Sequence, residues 1–337
     1  MDIKATPFIS IIIPVRNEEL YIEKCLNSII NNDYPKNKME VIVVDGHSID
    51  KTQDLIKKYI SNYNFIRLLL NPQKTVPYAM NIGIKKSKGE YIIRMDAHSN
   101  YPINYFTKLI YWHQKLNADN VGGIVIAKSL NHSKLSQSIL TVLSDKFGVG
   151  NSMFRTVNSK EFIKVDTVPF GCYKKEVFNK YGLYNEKLVR GQDIEFNKRI
   201  INKGGKIYLI PEIRVDYYAA DNYQKLLKKY YNTGKWVVMV AYYTSNVKSL
   251  SKRHFVPLIF VLSLFLPLLL VPITMYILFI PILSFTMYLI TILLRAIFLK
   301  KSNNRIIYIL LAFFILHIAY GIGSLSAVLN IILKKNI

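Results

Sequence analysis

The first half of the chain alternates continuous apolar runs with segments in which apolar residues recur every three or four positions. The runs predict strands at Ile9–Ile13, Val41–Val44, Phe65–Leu70, Tyr91–Met95 and Val121–Ala127, and the segments between them predict helices at Glu18–Ile30, Asp50–Ile60 with Asp50 as N-cap, Pro77–Lys86 and Tyr105–Leu116. Apolar strands separated by helices of about three turns are typical of a mainly parallel sheet with helices on both faces. The pattern therefore predicts a doubly wound α/β domain over residues 1–220.

The pattern is less regular after this point. Residues 128–164 are rich in Ser, Asn, Lys and aromatic residues, which is typical of a lid or acceptor-binding segment and equally of a surface insertion. Regular patterning resumes at Lys175–Lys180, with a predicted helix at Asp193–Asn202 and a predicted strand at Lys206–Ile210. The stretch Tyr223–Tyr243 is amphipathic, aromatic and basic, so we expect an interfacial helix within a linker over residues 221–254.

Two long blocks near the carboxyl terminus contain no charged residue, Phe255–Leu294 and Ile306–Leu333. A membrane span needs roughly 20 apolar residues. The region 255–337 is therefore predicted to hold about three transmembrane helices, at 255–274, 276–299 and 306–333. For the third block, a re-entrant hairpin at Gly321–Gly323 is the alternative to a single span.

Basic residues flank these blocks and predict their orientation. They are Lys248, Lys252 and Arg253, then Lys300, Lys301 and Arg305, then Lys334 and Lys335, whereas the turn near Pro272 has none. The positive-inside rule then predicts a multi-pass protein of the cell membrane whose α/β domain and 300–305 loop face the cytoplasm. A single third span would place the carboxyl terminus outside.

The charge of the chain narrows the choice of partners. The formal net charge is +23, and all 22 acidic residues precede Phe255 together with 39 of the 45 Lys and Arg. A basic domain next to a bilayer attracts anionic lipid and phosphate-bearing ligands. Nucleic acid is the competing interpretation, but the chain has no recognition motif for it, so we expect no nucleic-acid partner. The two cysteines, Cys25 and Cys172, form no disulfide or metal-binding pattern.

Candidate binding residues, all of them polar except Pro14, follow four of the predicted strands in succession. They are Pro14, Arg16, Asn17 and Glu18 at the first, Asp45 at the second, Lys74 at the third, and Asp96 and His98 at the fourth. Because ligands of open α/β sheets bind at the carboxyl ends of the strands, these residues predict a nucleotide pocket. Asp45 is suited to accept from a base or ribose, Lys74 to approach a phosphate, and Asp96 with His98 to hold Mn²⁺ or Mg²⁺ on a diphosphate. The alternative for an acid at a strand end is a turn or cap.

A further candidate is Asp193, which follows Arg190, Gly191 and Gln192. Asp193 and Glu195 are also the residues that favour a helix amino terminus, where negative charge meets the helix dipole. The functional alternative makes Asp193 a general base that deprotonates a sugar hydroxyl during attack on an activated anomeric carbon.

Taken together, these motifs resemble family 2 glycosyltransferases of the GT-A fold, and most nearly the succinoglycan-type, membrane-anchored glucosyltransferases of exopolysaccharide assembly. The residues that carry the resemblance are Ile11–Glu18, Val44–Thr52, Asn81–Gly83, Gly89–His98 and Gly191–Asp193, in the order and spacing of the family over about residues 8–200.

The resemblance implies inverting transfer from a UDP- or GDP-linked sugar to a membrane-associated acceptor, such as a lipid-linked glycan, in cell-surface or extracellular polysaccharide synthesis. It implies that Asp45 contacts the base, that Asp96 and His98 bind a divalent cation, and that Asp193 is the catalytic base. By the same resemblance the nucleotide sugar is bound by Pro14, Arg16, Asn17, Glu18, Asp45, Lys74, Asn81 and Asp96.

The chain departs from the family pattern at three places. His98 replaces a second Asp, Gln192 replaces the Glu common before the base, and Asn232–Trp236 only faintly resembles the Gln-x-x-Arg-Trp signature of processive synthases. The apolar blocks also hold few charged or titratable groups, which argues against a polymer channel. We expect His317 to be packed or hydrogen-bonded rather than functional. A processive polysaccharide synthase and a non-catalytic nucleotide-binding membrane scaffold are the alternatives.

Overall fold

The protein is described here by a computed structural model of residues 6–150, 152–157, 159–244 and 252–334. Its contacts divide these residues into two compact units. The first runs up to Ile126 and resumes over Met153–Tyr218, and the second combines Ala127–Ser152 with the described residues from Ala219 onward. The domain limits at residues 220 and 254 stay a prediction.

The described residues form one nine-stranded sheet. Its strands are β1 (Ile9–Val15), β2 (Met39–Asp45), β3 (Ile66–Leu70), β4 (Tyr91–Arg94), β5 (Ser99–Asn100), β6 (Asn120–Lys128), β7 (Ile163–Lys164), β8 (Cys172–Lys174) and β9 (Ile207–Tyr218). The order is β3-β2-β1-β4-β8-β6-β9-β5, with β7 beside β9. The first four strands of this order pair in parallel, whereas β8 is antiparallel to β4 and β6, and β5 and β7 are antiparallel to β9.

The helices of the described chain include those predicted and three more within residues 128–164, where none was predicted. They are α1 (Ile22–Ile30), α2 (Thr52–Asn62), α3 (Val76–Lys86), α4 (Tyr105–Leu116), α5 (Lys134–Leu143), α6 (Lys146–Val149), α7 (Met153–Thr156), α8 (Glu176–Tyr181), α9 (Gln192–Asn202), α10 (Tyr223–Thr244), α11 (Val256–Phe265), α12 (Phe279–Phe298) and α13 (Ile306–Ile332). The first helix starts four residues later than predicted, and the strand predicted at Lys206–Ile210 extends to Tyr218.

The prediction of Asp50 as the N-cap of α2 is wrong. The helix begins at Thr52, so Lys51 is at the N-cap position and has no capping hydrogen bond from its side chain. The Asp50 carboxylate instead accepts the backbone N–H of Thr52 at 3.0 Å and that of Glu19 at 3.2 Å. Asp50 therefore ties the start of α2 to the loop after β1.

The sheet of the first unit is covered on both faces. Because side chains alternate along a strand, Ile11 and Ile13 of β1 belong to one core with α1 and α4, while Ile12 belongs to a second core with α3, α8 and α9. The central strands β1, β2 and β4 are buried almost completely. This arrangement confirms the predicted α/β fold class.

In the second unit, α10 packs closely against α13. A Cβ on Gly234 would lie 1.9 Å from the carbonyl oxygen of Tyr320, and one on Gly323 would lie 2.0 Å from that of Tyr231. The hydroxyl of Ser324 donates to the carbonyl of Gly234 at 3.0 Å. Small residues at these positions thus let the two backbones approach.

The contacts along this helix pair show that it is parallel. Near the start of both helices, the hydroxyl of Tyr223 donates to the carbonyl of Tyr308 at 3.2 Å. Near their ends, Met239 packs with Ala327 in a small buried cluster. The predicted helix is therefore present, with one face buried on α13, and its interfacial location stays a prediction.

The segment that the sequence left open between a lid and a surface insertion contains a helix packed on α13. The backbone N–H of Arg305 donates to the hydroxyl of Ser138 at 3.1 Å, and the amide of Asn304 donates to the hydroxyl of Thr141 at 3.2 Å. Further along, His317 Nε2 lies 2.9 Å from the carbonyl oxygen of Phe147. His317 is therefore hydrogen-bonded within the helices, as expected.

Three stretches of the described chain are helical, long and apolar enough to cross a membrane, Arg253–Leu270, Met275–Phe298 and Ile306–Ile332. The third is continuous through Gly321 and Gly323, so the hairpin alternative is not formed. Of the basic residues used for the orientation, Lys248 and Lys335 lie outside the described residues.

Candidate active site

The loops after β1 and β2 are joined by side-chain hydrogen bonds. Asn17 has a φ of 56°, a left-handed conformation that Asn tolerates. Its Oδ1 accepts the backbone N–H of Ile49 at 2.9 Å, and its own N–H donates to the hydroxyl of Ser48 at 2.8 Å. Of the other residues predicted here, Pro14 is half-buried within β1 and Arg16 is exposed.

Asp45, the last residue of β2, is fully buried and serves three donors. Its Oδ2 accepts the backbone N–H of Ser48 at 3.0 Å and the amide of Gln53 at 2.7 Å, and its Oδ1 accepts the hydroxyl of Ser48 at 2.5 Å. A nucleotide would have to share this carboxylate with Ser48 and Gln53. The predicted contact of Asp45 with a base stays a prediction.

Lys74 lies in a turn beside the end of β2. Its φ is 62° and its side chain is exposed. A Cβ on Gly46 would lie 3.3 Å from the Cα of Lys74, so a glycine at this position leaves room for the turn. Lys74 is exposed, and its predicted contact with a phosphate stays a prediction.

Asn81 is buried in α3 and holds a distant loop. Its Nδ2 donates to the carbonyl of Tyr184 and to Glu186 Oε1, both at 2.9 Å, and its Oδ1 accepts the N–H of Tyr184 at 3.0 Å. All three hydrogen bonds are made within the protein. Contact of Asn81 with a nucleotide sugar stays a prediction. In the structure this side chain positions residues 184–186.

A buried arginine connects the two carboxylates that carry the predicted chemistry. Arg94, the last residue of β4, places Nη2 3.2 Å from Asp96 Oδ1 and Nη1 3.9 Å from Asp193 Oδ2. The exposed fractions of the side chains are 11% for Arg94, 20% for Asp96 and 35% for Asp193. The fold therefore brings together residues that lie almost 100 positions apart, at the edge where β4 ends.

His98 is hydrogen-bonded at both ring nitrogens. Its Nδ1 lies 3.2 Å from Glu18 Oε1, and its Nε2 lies 3.1 Å from the hydroxyl of Tyr217. Burial lowers the pKa of His98, but Tyr217, the hydrogen bond with Glu18 and the nearby charge of Asp96 together raise it to about 10.

The donor atoms at this edge suit a divalent cation at Asp96 better than at His98. Cations such as Mg²⁺ are commonly held by one or two carboxylates plus substrate phosphates, and Asp96 offers a partly exposed carboxylate. His98 would have to release Glu18 or Tyr217 before it could bind a metal. Among the residues that the structure describes, no group of three or more His, Cys, Asp and Glu side chains is arranged to hold an ion.

Asp193 and Glu195 differ in what they contact at the start of α9. The helix follows Gly191, whose φ of 74° favours glycine. Glu195 forms an ion pair with Arg199, with its Oε2 2.7 Å from Nη2. Within the described residues, the Asp193 side chain accepts one hydrogen bond, from the N–H of the adjacent Ile194 at 2.9 Å. Asp193 is also the more exposed of the two acids. Asp193 is thus the acid available to a substrate.

Sequence reasoning missed two residues of this site. Arg94 is a charged residue inside an apolar strand, and that placement was a signal that it has a buried partner. Tyr217 lies 119 residues from His98 and gave no local signal.

The comparisons with known proteins agree with this geometry. The sequence model of Glycosyl transferase family 2 matches residues 10–182, which include the strand ends and the site around Asp96. The chain belongs to glycosyltransferase family 2.

Two of the relatives of this family 2 glycosyltransferase match about two thirds of its length. One is the dolichyl N-acetyl-alpha-D-glucosaminyl phosphate 3-beta-D-2,3-diacetamido-2,3-dideoxy-beta-D-glucuronosyltransferase of Methanococcus voltae, 36% identical over 231 residues, covering 66% of this chain and 70% of the relative. The other is the succinoglycan biosynthesis protein ExoA of Rhizobium meliloti, 25% identical over 227 residues and covering 67% of each chain. The resemblance to succinoglycan-type enzymes is confirmed.

The fold is also similar to that of a solved structure, the mannosyltransferase PcManGT from Pyrobaculum calidifontis in complex with GDP-Man and Mn²⁺. The TM-score is 0.62 at 14% identity, over 99% of this chain and 90% of the other. The likeness confirms the predicted GT-A fold followed by apolar carboxyl-terminal helices.

Proposed function

We propose that this protein is an inverting, metal-dependent glycosyltransferase that moves a sugar from a UDP- or GDP-linked donor to a membrane-associated, lipid-linked glycan acceptor in cell-surface or extracellular polysaccharide synthesis. The observation that carries the proposal is the position of Asp193. Its partly exposed carboxylate lies 3.9 Å from the guanidinium that also contacts Asp96. A base and a cation-binding carboxylate are thus grouped at one edge of the sheet.

Asp193 acts as the base. Its carboxylate accepts the proton of the acceptor hydroxyl while the hydroxyl oxygen forms a bond to the anomeric carbon. On the opposite face of that carbon, the bond to the diphosphate oxygen breaks and the nucleoside diphosphate leaves with the electron pair. One displacement of this kind inverts the anomeric configuration.

The donor lies across the ends of β1 to β4. Asp45 accepts from the base, Lys74 contributes positive charge near the phosphates, and Arg16 and Asn17 line the first loop, with Pro14, Glu18 and Asn81 supporting the pocket. Asp96 would hold the divalent cation, Mn²⁺ or Mg²⁺, and His98 would bind it once Glu18 or Tyr217 released a ring nitrogen. When bound, the cation supplies charge neutralisation to the departing diphosphate.

The name of the Methanococcus voltae relative includes a dolichyl-phosphate-linked sugar, which supports a lipid-linked acceptor for this chain. The apolar helices support an acceptor at the membrane, because many of their large side chains are exposed, among them Phe265, Leu269, Met275, Phe279 and Phe298. An acceptor held by its lipid in the bilayer would then be presented close to the protein.

We further propose that the protein is multi-pass in the cell membrane, with the catalytic residues and the 300–305 loop in the cytoplasm. The excess of basic residues at this loop supports that orientation. Nucleotide sugars are charged donors that do not cross bilayers unaided, and this orientation gives the site access to the cytoplasmic side.

Two other functions make different predictions in one experiment. The purified full chain in lipid nanodiscs is incubated with Mn²⁺, a lipid-linked glycan extract and a panel of UDP- and GDP-sugars, and nucleoside diphosphate release and product length are measured. Release with one added sugar per acceptor supports the proposal. A ladder of products indicates a processive synthase, and donor binding without release indicates a non-catalytic scaffold.

A further inference from the structure

Arg94 occupies a position where the strand pattern calls for an apolar side chain. It follows Tyr91–Ile93 in β4, and Ile92, two residues earlier and on the same face, belongs to the buried core with α3 and α9. Only 9% of the Arg94 residue is exposed. Burying a charged group is unfavourable unless it is paired and hydrogen-bonded, so the partners of Arg94 explain why it is there.

Those partners are the two acids of the site. Nε and Nη2 lie 3.4 and 3.2 Å from Asp96 Oδ1, and Nη1 lies 3.9 Å from Asp193 Oδ2. Burial opposes the charge on Arg94, whereas Asp96 and Asp193 favour it, and the net effect raises the pKa of Arg94. Two carboxylates this close to each other would otherwise repel, and the guanidinium between them offsets that repulsion.

We propose that Arg94 is a positioning residue that fixes the separation and orientation of the Asp193 and Asp96 carboxylates, with hydrogen bonds to Asp96 and an ion pair with Asp193 from one planar guanidinium. The inference rests on the proposed function, since it assigns Arg94 to the base and to the cation-binding acid. The guanidinium is a rigid fork whose N–H groups point in fixed directions, whereas a lysine ammonium is a single point of charge. Arginine can therefore set a distance between two acids, and lysine cannot.

This role predicts a particular pattern of kinetic effects. Arg94→Met and Arg94→Lys should each lower kcat by at least about tenfold, because a misplaced base affects the transition state more than donor binding. The donor KM should change by less than about threefold, because Asp96 keeps its carboxylate for the cation in both variants. In the Asp193→Asn background, Arg94→Met should lower kcat by no more than about threefold further. Methylguanidine added to Arg94→Ala should restore part of the turnover, whereas urea, which is similar in shape and uncharged, should not.

Arg67→Met is the matched control for loss of a partly buried arginine ion pair. Arg67 in β3 places Nη2 2.9 Å from Glu40 Oε2, in a pair that contacts neither acid of the site. Its loss should lower the melting temperature of the chain and leave kcat within about twofold of wild type. If Arg67→Met lowers kcat as much as Arg94→Met does, the effect of Arg94 is one of stability and the proposal fails.

A melting-temperature cycle separates this proposal from the proposed function. Wild type, Arg94→Met, Asp193→Asn and the double variant are melted in detergent without metal or donor. Coupling between the pair requires that the double variant lose less than the two single losses added together. Additive losses overturn the proposal. If the losses are coupled but the protein releases no nucleoside diphosphate with any donor, the interaction between Arg94 and Asp193 is supported. In that case the proposed function is overturned instead.

Discussion

The carboxylate of Asp145 and the guanidinium of Arg295 form an ion pair across 150 residues of sequence, with Arg295 Nε 3.1 Å from both carboxylate oxygens. Asp145 caps the short helix α6, and its side chain is only 5% exposed. Arg295 lies near the end of α12, in an otherwise apolar stretch. The pair therefore connects the segment Ala127–Ser152 to the apolar helix α12 within the second unit.

We expect Arg295→Met to lower the stability of the second unit, because the buried Asp145 carboxylate would lose its charged partner. Leaving a buried polar group unsatisfied costs about 1–3 kcal/mol. The measurement is the melting temperature of the full chain in detergent. Lys301→Met, at an exposed position six residues away, is the control, and an equal shift in both variants would contradict the expectation. Asp145→Asn added to Arg295→Met should recover part of the loss.

Asp193→Asn should abolish most turnover while leaving donor binding nearly intact, since a base acts on the acceptor only during reaction. General-base catalysis contributes on the order of 10²–10⁴-fold. Rates of nucleoside diphosphate release and donor affinity by calorimetry are compared. Asp54→Asn, an exposed acid in the first turn of α2, controls for the loss of a negative charge at a helix amino terminus. Turnover above about a tenth of wild type would exclude Asp193 as the base.

Donor binding should require a divalent cation, and Asp96→Ala should remove both the requirement and most of the affinity. The diphosphate brings negative charge to an edge where Asp96 offers a carboxylate for a bridging ion. His98→Ala should weaken binding less, because its ring is already bonded to Glu18 and Tyr217. Calorimetric titration of the donor with Mn²⁺ and with EDTA is the measurement. Equal affinity under the two conditions would rule out the assignment of the metal.

The stability of the chain should fall between pH 6.5 and about 4 because of His113. This residue of α4 is fully buried, and burial, with the charge of Lys174, lowers its pKa to about 4. In the unfolded chain His113 takes up a proton near pH 6.5, whereas in the folded chain it does so only near pH 4. The free energy of unfolding therefore falls by as much as about 3 kcal/mol as the pH is lowered over that interval.

The test of this pH dependence compares two histidine substitutions. Melting temperatures of His113→Leu should vary less between pH 7 and pH 5 than those of wild type. His132→Gln, at an exposed position, should retain the full dependence. A pH dependence that is the same in His113→Leu as in wild type would exclude His113 as its source.

Thiol labelling can test the proposed orientation with little background, because Cys25 and Cys172 are both fully buried. On intact cells, an impermeant reagent should label Thr274→Cys and Asn336→Cys and leave Ser302→Cys unlabelled. The continuous helix α13 underlies the expectation for Asn336. Labelling of Ser302→Cys would place the 300–305 loop outside and reverse the orientation.

The parallel part of the sheet was predictable because its strands are apolar without interruption and its helices have a clear period. The antiparallel part of the sheet was less predictable, because β5, β7 and β8 have only two or three residues each. Such short strands give no detectable alternation of apolar and polar residues. The helix α5 was missed since its buried serines, Ser136 and Ser138, look like loop residues in the sequence. Ser138 accepts a hydrogen bond from Arg305, which lies at the start of α13 and more than 160 residues later in the sequence.

The candidate site divides in the same way. Asp45, Asp96 and Asp193 were recognisable as motifs because each lies at the end or start of a regular element. The contacts of these residues could not be predicted from the sequence. The distances from Arg94 to Asp193 and from His98 to Tyr217 depend on how β4, α9 and β9 meet in the folded chain.

The packing of α5 on α13 determines where the chain can be cut to obtain a soluble fragment. A stop codon after β9 removes α13 but leaves α5, whose Ile139 and Leu140 would lose the helices that help to bury them. Such a fragment would expose an apolar surface and tend to aggregate. A soluble catalytic fragment therefore calls for two cuts, with residues 127–152 replaced by a short polar linker as well as the carboxyl-terminal region removed.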